Sequence, residues 1–212
     1  MASEDRVRLN PQTLRGISHP LRVRLLNLLR EDGPSTATRL AERTGQSTGA
    51  TSYHLRQLAA YGFVIEDGAL GAGRERWWRA AHEGTTLERD EVKAAPALAE
   101  AYLRAVAIHY SERMSRWLAE LPMLPAGWDH AATLSDWRLR LRPDEAARLL
   151  ADIEALLGSY RRDDVAVAAP DGAERVVVQL QLMPFVQVAR GGRARAADQA
   201  DRSDPADETH PR

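Results

Sequence analysis

The side chains best suited to chemistry lie in two polar segments, QSTGATSYHLRQLAAYG and GAGRERWWRA. The first supplies hydroxyl groups and a guanidinium, and the second places guanidinium groups beside a glycine-rich loop. Groups of these types bind phosphate oxygens and base edges in the grooves of duplex DNA. The predicted contact residues are Thr48, Gly49, Ser52, Tyr53, Arg56, Arg74 and Arg76. Each residue also fits an ordinary solvated surface, so the elements that carry them decide between the two interpretations.

Helix signals place the first segment on the fourth helix of the chain. The first helix runs from Pro11 to about Ile17, and a second begins at Pro20, because proline suits a first turn. Ser35 or Thr36 caps a third helix, which ends at a left-handed Gly45. The fourth helix turns Thr51, Leu55, Leu58 and Ala59 to the core and ends at Gly62. Its remaining face holds the predicted contacts, while His54 either meets a phosphate or lies half-buried against a backbone partner.

The second segment belongs to a predicted hairpin, FVIEDGALGAGRERWWRA, which alternates around its glycine-rich loop. Trp77 and Trp78 fall on opposite faces, so one is expected in the core and the other over a later helix. Helix, helix, helix and basic hairpin is the order of a winged helix-turn-helix, whose recognition helix enters the major groove. We expect this domain over 9–82, after a flexible N-terminus at 1–8.

The rest of the chain predicts two further regions and a tail, which makes the fold class α+β. Residues from Pro96 to about Leu121 hold no internal Gly or Pro and predict a helix of roughly 38 Å, the core of a dimerisation region at 83–124. Alternation over 134–141 and from Arg175 to Val188, around a helix beginning at Pro143, predicts a small β-α-β unit at 130–189. Residues 190–212 lack large apolar side chains and predict a disordered tail.

Composition narrows the classes of function. The absence of cysteine excludes disulfides, thiolate metal sites and a cysteine nucleophile. Residues 1–80 hold twelve Arg against eight Asp and Glu, whereas the remainder holds 17 basic against 22 acidic residues. A basic N-terminal part fits a partner rich in phosphate. The sequence shows no signal peptide and no long apolar span, so we expect a cytoplasmic protein that contacts no membrane. It also shows no phosphate-binding loop and no pairing of a nucleophile with a base, so we expect no enzymatic activity and no cofactor.

Three segments carry a resemblance to a known family. ISHPLRVRLLNLL resembles the opening helix of the ArsR/SmtB-like regulators, STGATSYHLRQLAAYGFV resembles their recognition segment, and the glycine-rich loop with GRERWWRA resembles their wing. The likeness covers about 10–120 if the long helix is the family's dimerisation helix, and the β-α-β unit lies outside it, as in an actinobacterial subgroup with an appended domain. The resemblance implies a dimeric repressor that binds double-stranded DNA.

Metal sensing is the family property that this sequence does not support. Metal-sensing members carry a cysteine-containing box, and the corresponding segment here, PSTATRLAERTG, has none. Other members hold zinc with an Asp-x-His and a His-x-x-Glu pair on the last helix. His109 and Glu112 have the second spacing, but the partner pair is missing. Two ligands are too few for a four-ligand zinc site. We therefore expect no metal.

Two classes of function stay open at this point. A homodimeric transcriptional regulator, with an unknown small-molecule effector, is the first, and a winged helix that contacts proteins without DNA is the second. The C-terminal unit offers either a ligand cavity or a core tryptophan beside a solvated sheet face. The residues concerned are Trp137, Arg138, Arg140, Gln179 and Gln181.

Overall fold

A computed structural model describes residues 6–70, 75–128, 130–163 and 167–185. The helices are α1 (Pro11–Ile17), α2 (Pro20–Glu31), α3 (Ala37–Thr44), α4 (Thr48–Ala60), α5 (Arg89–Ala94), α6 (Pro96–Glu120) and α7 (Pro143–Gly158), with a 3-10 turn at Leu121–Met123. The strands are β1 (Arg6–Arg8), β2 (Ser35–Thr36), β3 (Val64–Glu66), β4 (Trp77–Ala80) and β5 (Gly84–Thr86). The predicted α+β class is confirmed.

Local signals set the helix ends as the sequence predicts. Asn10 and Thr13 form a capping box at α1, with both bonds at 2.8 Å. The Thr36 hydroxyl accepts a hydrogen bond from the Arg39 amide at the start of α3, and Gly45 ends that helix at φ 68°. That left-handed conformation favours glycine because it has no Cβ.

A single core unites α1 to α4, the hairpin and α6. Each of these elements contributes buried side chains to it. They include Leu14, Leu25, Leu40, Leu55, Leu58, Phe63, Val64 and Trp78, with the small residues Ala99 and Ala105 from α6. Gly16 lets α1 approach α4, because a Cβ there would lie 2.3 Å from Cγ of Tyr61. The long helix is thus part of the N-terminal core.

Two small sheets flank these helices. In the first, β4 pairs antiparallel with both β3 and β2, so that Val64 faces Ala80 and Ser35 faces Trp78. In the second, β1 pairs parallel with β5, and Arg6 faces Gly84. Residues 6–8 were expected in a flexible N-terminus, but they form a strand that pairs with β5, 78 positions later in the chain. Residues 1–5 lie outside the described residues.

The C-terminal region differs from the expected β-α-β unit. Its helix is present as α7, but the described residues 130–142 and 167–185 contain no strand. Trp137, expected in a core, is 78% exposed, and Val178 is 61% exposed. A strand needs a neighbour for its backbone hydrogen bonds, and these two segments do not pair with each other. Residues 186–188 of the second predicted strand, and the predicted tail, lie outside the described residues.

Candidate nucleic-acid interface

Helix α4 presents its first two turns to solvent because its opposite face is anchored in the core. Thr51, Leu55 and Leu58 are buried. The helix begins at Ser47, whose hydroxyl accepts a hydrogen bond from the Ala50 amide at 3.2 Å. Of the predicted contact residues, Thr48, Gly49, Tyr53 and Arg56 are exposed, and Ser52 is half-buried. The structure therefore brings these five together on one polar surface.

Helices α3 and α4 form the helix-turn-helix pair. They pack against each other and are joined by only three residues, Gly45 to Ser47. The Gln46 amide donates to the Ala41 carbonyl at 3.0 Å, which closes the end of α3 and fixes where α4 starts. A short, hydrogen-bonded turn of this kind sets the angle at which the second helix leaves the body of the domain.

The hairpin β3–β4 is the wing of this domain. Arg76 is exposed at the base of its loop, where Nη1 lies 3.1 Å from Oε1 of Glu66 on the neighbouring strand. This guanidinium also lies 5.8 Å from the ring centre of Trp78. Arg74, the other predicted wing contact, lies outside the described residues. Arg76 is thus available at the surface, but a phosphate would compete with Glu66 for it.

Arg39 of α3 is a surface cation that the sequence analysis did not single out. It is exposed, and its guanidinium lies 4.8 Å from the ring centre of Trp77. Trp78 is the core tryptophan of the predicted pair, at 4% exposed, and Trp77 is half-buried with α3 beside its ring through Arg39. The pairing of β2 with β4 causes this, because it brings Thr36, the residue that caps α3, opposite Trp77.

Two histidines join the first turn of α2 to the recognition helix. The ring centres of His19 and His54 are 4.5 Å apart, so His54 packs on a side chain rather than on the expected backbone partner. His19 Nδ1 accepts a hydrogen bond from the Leu21 amide at 3.1 Å. The pKa of His19 is lowered, mainly by burial and to a smaller extent by the charge of Arg22. The pKa of His54 is also lowered, mainly by burial and to a smaller extent by the charges of His19 and Arg22. The contact therefore favours the neutral form of both imidazole rings.

The His-x-x-Glu pair of α6 is divided between two different partners. His109 is 3% exposed, and its Nε2 lies 3.2 Å from Oε1 of Glu31 on α2. Glu112 instead lies 3.5 Å from Nε of Arg24. Within the described ranges, no three His, Asp or Glu side chains are grouped so as to hold a metal ion. His109 and Glu112 therefore each contact a charged side chain of α2, and both contacts join α6 to α2.

The C-terminal candidates do not converge on one site. Trp137 and Arg138 are exposed, and Arg138 lies 3.9 Å from Asp136. Arg140 and Gln181 are also exposed, whereas the Gln179 side chain accepts a hydrogen bond from Arg113 of α6 at 3.1 Å. Gln179 is therefore a contact between the C-terminal segment and the long helix.

Fold and surface together define a winged helix-turn-helix domain followed by a long helix. Residues 17–67 match the family model described as a helix-turn-helix domain, which spans α2, α3, α4 and β3. No curated protein matches the chain. Where the structure describes the chain, none of its helices has both the length and the hydrophobicity needed to cross a bilayer.

Several solved structures are similar to the chain over most of their own length. An apo mutant of ZitR from Lactococcus lactis shares 14% identity, covers 69% of this chain and 87% of its own, and has a TM-score of 0.28. The transcriptional regulator Tm0710 from Thermotoga maritima shares 14% identity, with 69% and 80% covered and a TM-score of 0.29. RV1404 from Mycobacterium tuberculosis shares 16% identity, with 70% and 85% covered and a TM-score of 0.28. The domain match, the order of α2 to α4 and the pairing of β3 with β4 together identify the fold.

Proposed function

We propose that this protein is a transcriptional regulator that binds double-stranded DNA in a sequence-specific manner, as a homodimeric repressor of the ArsR/SmtB-like type without a thiolate metal site. The observation that carries the proposal is the exposed polar face of α4 beside a wing that bears Arg76. The N-terminal part of such a helix reads base edges, and wing arginines bind phosphates or enter the minor groove. Thr48, Gly49, Ser52, Tyr53, Arg56, Arg74 and Arg76 are the proposed contact residues.

Arg56 is the best-placed residue for direct readout. It is exposed, and within the described parts of the chain no carboxylate forms an ion pair with it. A guanidinium that is not already paired offers its two parallel donors to O6 and N7 of guanine or to a phosphate. Arg39, close to the wing, adds a second exposed cation of the same kind.

The proposed dimer uses the outer face of α6, within a dimerisation region at 83–124. One side of that helix carries apolar side chains at spacings of 11 and 4 residues, each between 37% and 50% exposed, and Leu121 of the following turn continues it at 38%. The three on the helix are Leu103, Met114 and Leu118. The buried face of the same helix, with Ala105 and His109, packs on the domain core. A two-fold dimer places two recognition helices about 34 Å apart, one turn of duplex DNA.

The test of DNA binding is a fluorescence-anisotropy titration with a duplex enriched from a random-sequence pool by the wild-type protein. We expect Arg56→Ala combined with Arg74→Ala to weaken binding more than tenfold and to flatten its dependence on salt. Arg148→Ala is the matched control, because Arg148 lies on α7 in an exposed pair with Asp144. If the double variant binds as tightly as the control, these arginines do not contact DNA.

The test of the dimer is sedimentation velocity, with Leu103→Glu and Leu118→Glu combined. We expect a monomer that retains the wild-type circular dichroism spectrum and loses affinity for the two-half-site duplex. A wild-type protein that sediments as a monomer would overturn the dimer. Repression is tested with a reporter gene placed behind the enriched duplex, where deletion of the regulator should raise expression.

A further inference from the structure

A cavity of about 610 Å³ lies between α2, the buried side of α6, β5 and the C-terminal segment around Arg175. Its volume falls within the range of pockets that enclose small organic ligands. The inner wall is apolar, with Val23 and Leu26 from α2 and Val106 from α6, and Trp117 lines it further along α6. An occupant would therefore need an apolar body.

One end of this cavity gathers hydrogen-bond donors. Arg6 of β1 donates to the Thr86 hydroxyl at 3.1 Å and to the Thr85 carbonyl at 2.7 Å. Arg30 of α2 donates to the Thr85 hydroxyl at 3.0 Å, so both guanidinium groups are held at the same strand. Tyr102 lines the same cavity, and burial raises the pKa of its phenol, against the lowering effect of the Arg30 and Arg6 charges. Guanidinium and phenol groups are donors of the kind that bind an anionic head group.

Five acidic side chains line the cavity, and three of them are paired with arginines. Glu31 is bound by Arg113, Asp32 lies 2.8 Å from Arg43, and Asp163 lies 2.7 Å from Arg175. These three carboxylates are neutralised by partners of their own. Of the other two, Glu83 lies 3.9 Å from Arg162, and Glu120 lies at the far end of α6, 18 residues beyond Tyr102. The donor end is therefore suited to an anion. The side chain of Arg6 lies directly on Gly84, where an added Cβ would come within 2.6 Å of Nη1. The absence of a side chain at Gly84 therefore leaves room for the Arg6 guanidinium at the cavity.

We propose that this cavity binds an amphipathic organic acid, with its carboxylate between Arg6, Arg30 and Tyr102 and its apolar body along Val23, Leu26 and Val106. The C-terminal segment forms the outer wall, because Arg175 donates to the Glu31 carbonyl and Gln179 accepts from Arg113. That segment contributes backbone and side chains to the site without a strand of its own.

The cavity is also connected to the recognition helix α4 through α2. This part of the inference rests on the proposed function. Helix α2 lines the cavity through Val23 and Leu26, packs against α4, and meets it at the ring contact between His19 and His54. A ligand that widens the space between α2 and α6 shifts α2, and α2 positions α4. Occupancy is therefore expected to lower the affinity for DNA.

Binding is tested by isothermal titration calorimetry of the full chain with 2-naphthoate, and with 2-naphthamide as the uncharged control of the same shape. We expect one naphthoate per chain and at least tenfold weaker binding of the amide. Arg6→Gln and Tyr102→Phe should each weaken naphthoate about tenfold, since each removes a hydrogen bond to a charged group. Arg148→Gln, which changes an exposed cation on α7 outside the cavity lining, should leave it unchanged.

Three results would overturn the site: no heat of binding from 2-naphthoate, equal affinity for acid and amide, or full affinity in variants whose circular dichroism shows wild-type folding. The link to DNA is measured separately, as the effect of 2-naphthoate on the anisotropy titration of wild-type and Arg6→Gln protein. If the protein binds naphthoate but no duplex, the proposed function is refuted and the ligand site stands. If it binds the duplex but no naphthoate, the ligand site is refuted and the proposed function stands. If it binds both and neither affects the other, the coupling between the cavity and the recognition helix is refuted.

Discussion

The contact between α2 and α6 through Glu31 supports the most quantitative prediction. Glu31 Oε1 lies 3.2 Å from His109 Nε2 and accepts a hydrogen bond from Arg113. Burial alone would raise the pKa of Glu31, but hydrogen bonds from His109 and Arg113, with the charges of Arg113 and His109, lower that pKa to about 2. A neutral amide in this place would leave the guanidinium and the buried imidazole without their carboxylate.

The magnitude follows from linkage between protonation and folding. The unfolded chain has the ordinary carboxyl pKa of 4.5 and the folded chain about 2, a gap equivalent to about 3 kcal/mol at roughly 1.36 kcal/mol per pKa unit. The Glu31 side chain is 25% exposed, so solvent screening reduces the expected loss for Glu31→Gln to about 2 kcal/mol. Because the folded pKa is the lower one, this stabilisation is complete above pH 4.5 and disappears as the pH falls toward 2.

The assay is urea denaturation followed by circular dichroism, at fixed protein concentration, from pH 7 down to pH 2.5. Wild type should be more stable than Glu31→Gln by about 2 kcal/mol at pH 7, and the two curves should converge below pH 4.5. Glu112→Gln is the control, because its ion pair with Arg24 is 35% and 43% exposed and should contribute less than about 1 kcal/mol. Equal losses in the two variants, or a constant gap down to pH 2.5, would refute the reasoning.

Three further outcomes are expected. Gly16→Ala should destabilise the fold by about 1–3 kcal/mol in the same assay, because its Cβ would lie 2.3 Å from Tyr61, and Tyr61→Ala in the same chain should recover part of the loss. Gly45→Ala, at φ 68°, should cost about 1 kcal/mol by thermal melting, whereas Gly49→Ala, in open space, should not. Stability should fall as the pH drops below 6.5, since the pKa values of His19 and His54 are both lowered, and His54→Gln should flatten that fall.

Local chemistry explains which features could be predicted from the sequence. Proline at the first helical positions of α1 and α2, the Thr36 cap and the left-handed Gly45 act within a few residues, so helix bounds are readable without long-range contacts. The face of α4 is equally local, since the spacing of Thr51, Leu55 and Leu58 alone identifies the buried side. The polar surface opposite them follows directly.

Long-range packing decided what the sequence analysis missed or misplaced. Arg39 meets Trp77 because β2 pairs with β4, and Arg6 joins Tyr102 in the cavity lining because β1 pairs with β5; neither pairing leaves a local signal. The expected strands near Trp137 and Val178 depend on a neighbour that alternation cannot supply. A strand pattern records which side chains are apolar, whereas a ladder also requires a second backbone within hydrogen-bonding distance.

The sequence by itself determined the order and ends of α1 to α4 and the polar face of α4, because caps, turns and apolar spacing act over a few residues. It did not predict the short helix α5. Only the tertiary structure decided that His109 turns to Glu31 and Glu112 to Arg24, and that Arg6 and Arg30 share the cavity with Tyr102. Partners of opposite charge are common along this chain. Which of them meet is set by how whole helices and strands pack, since an ion pair forms only where packing brings two charges within a few ångströms.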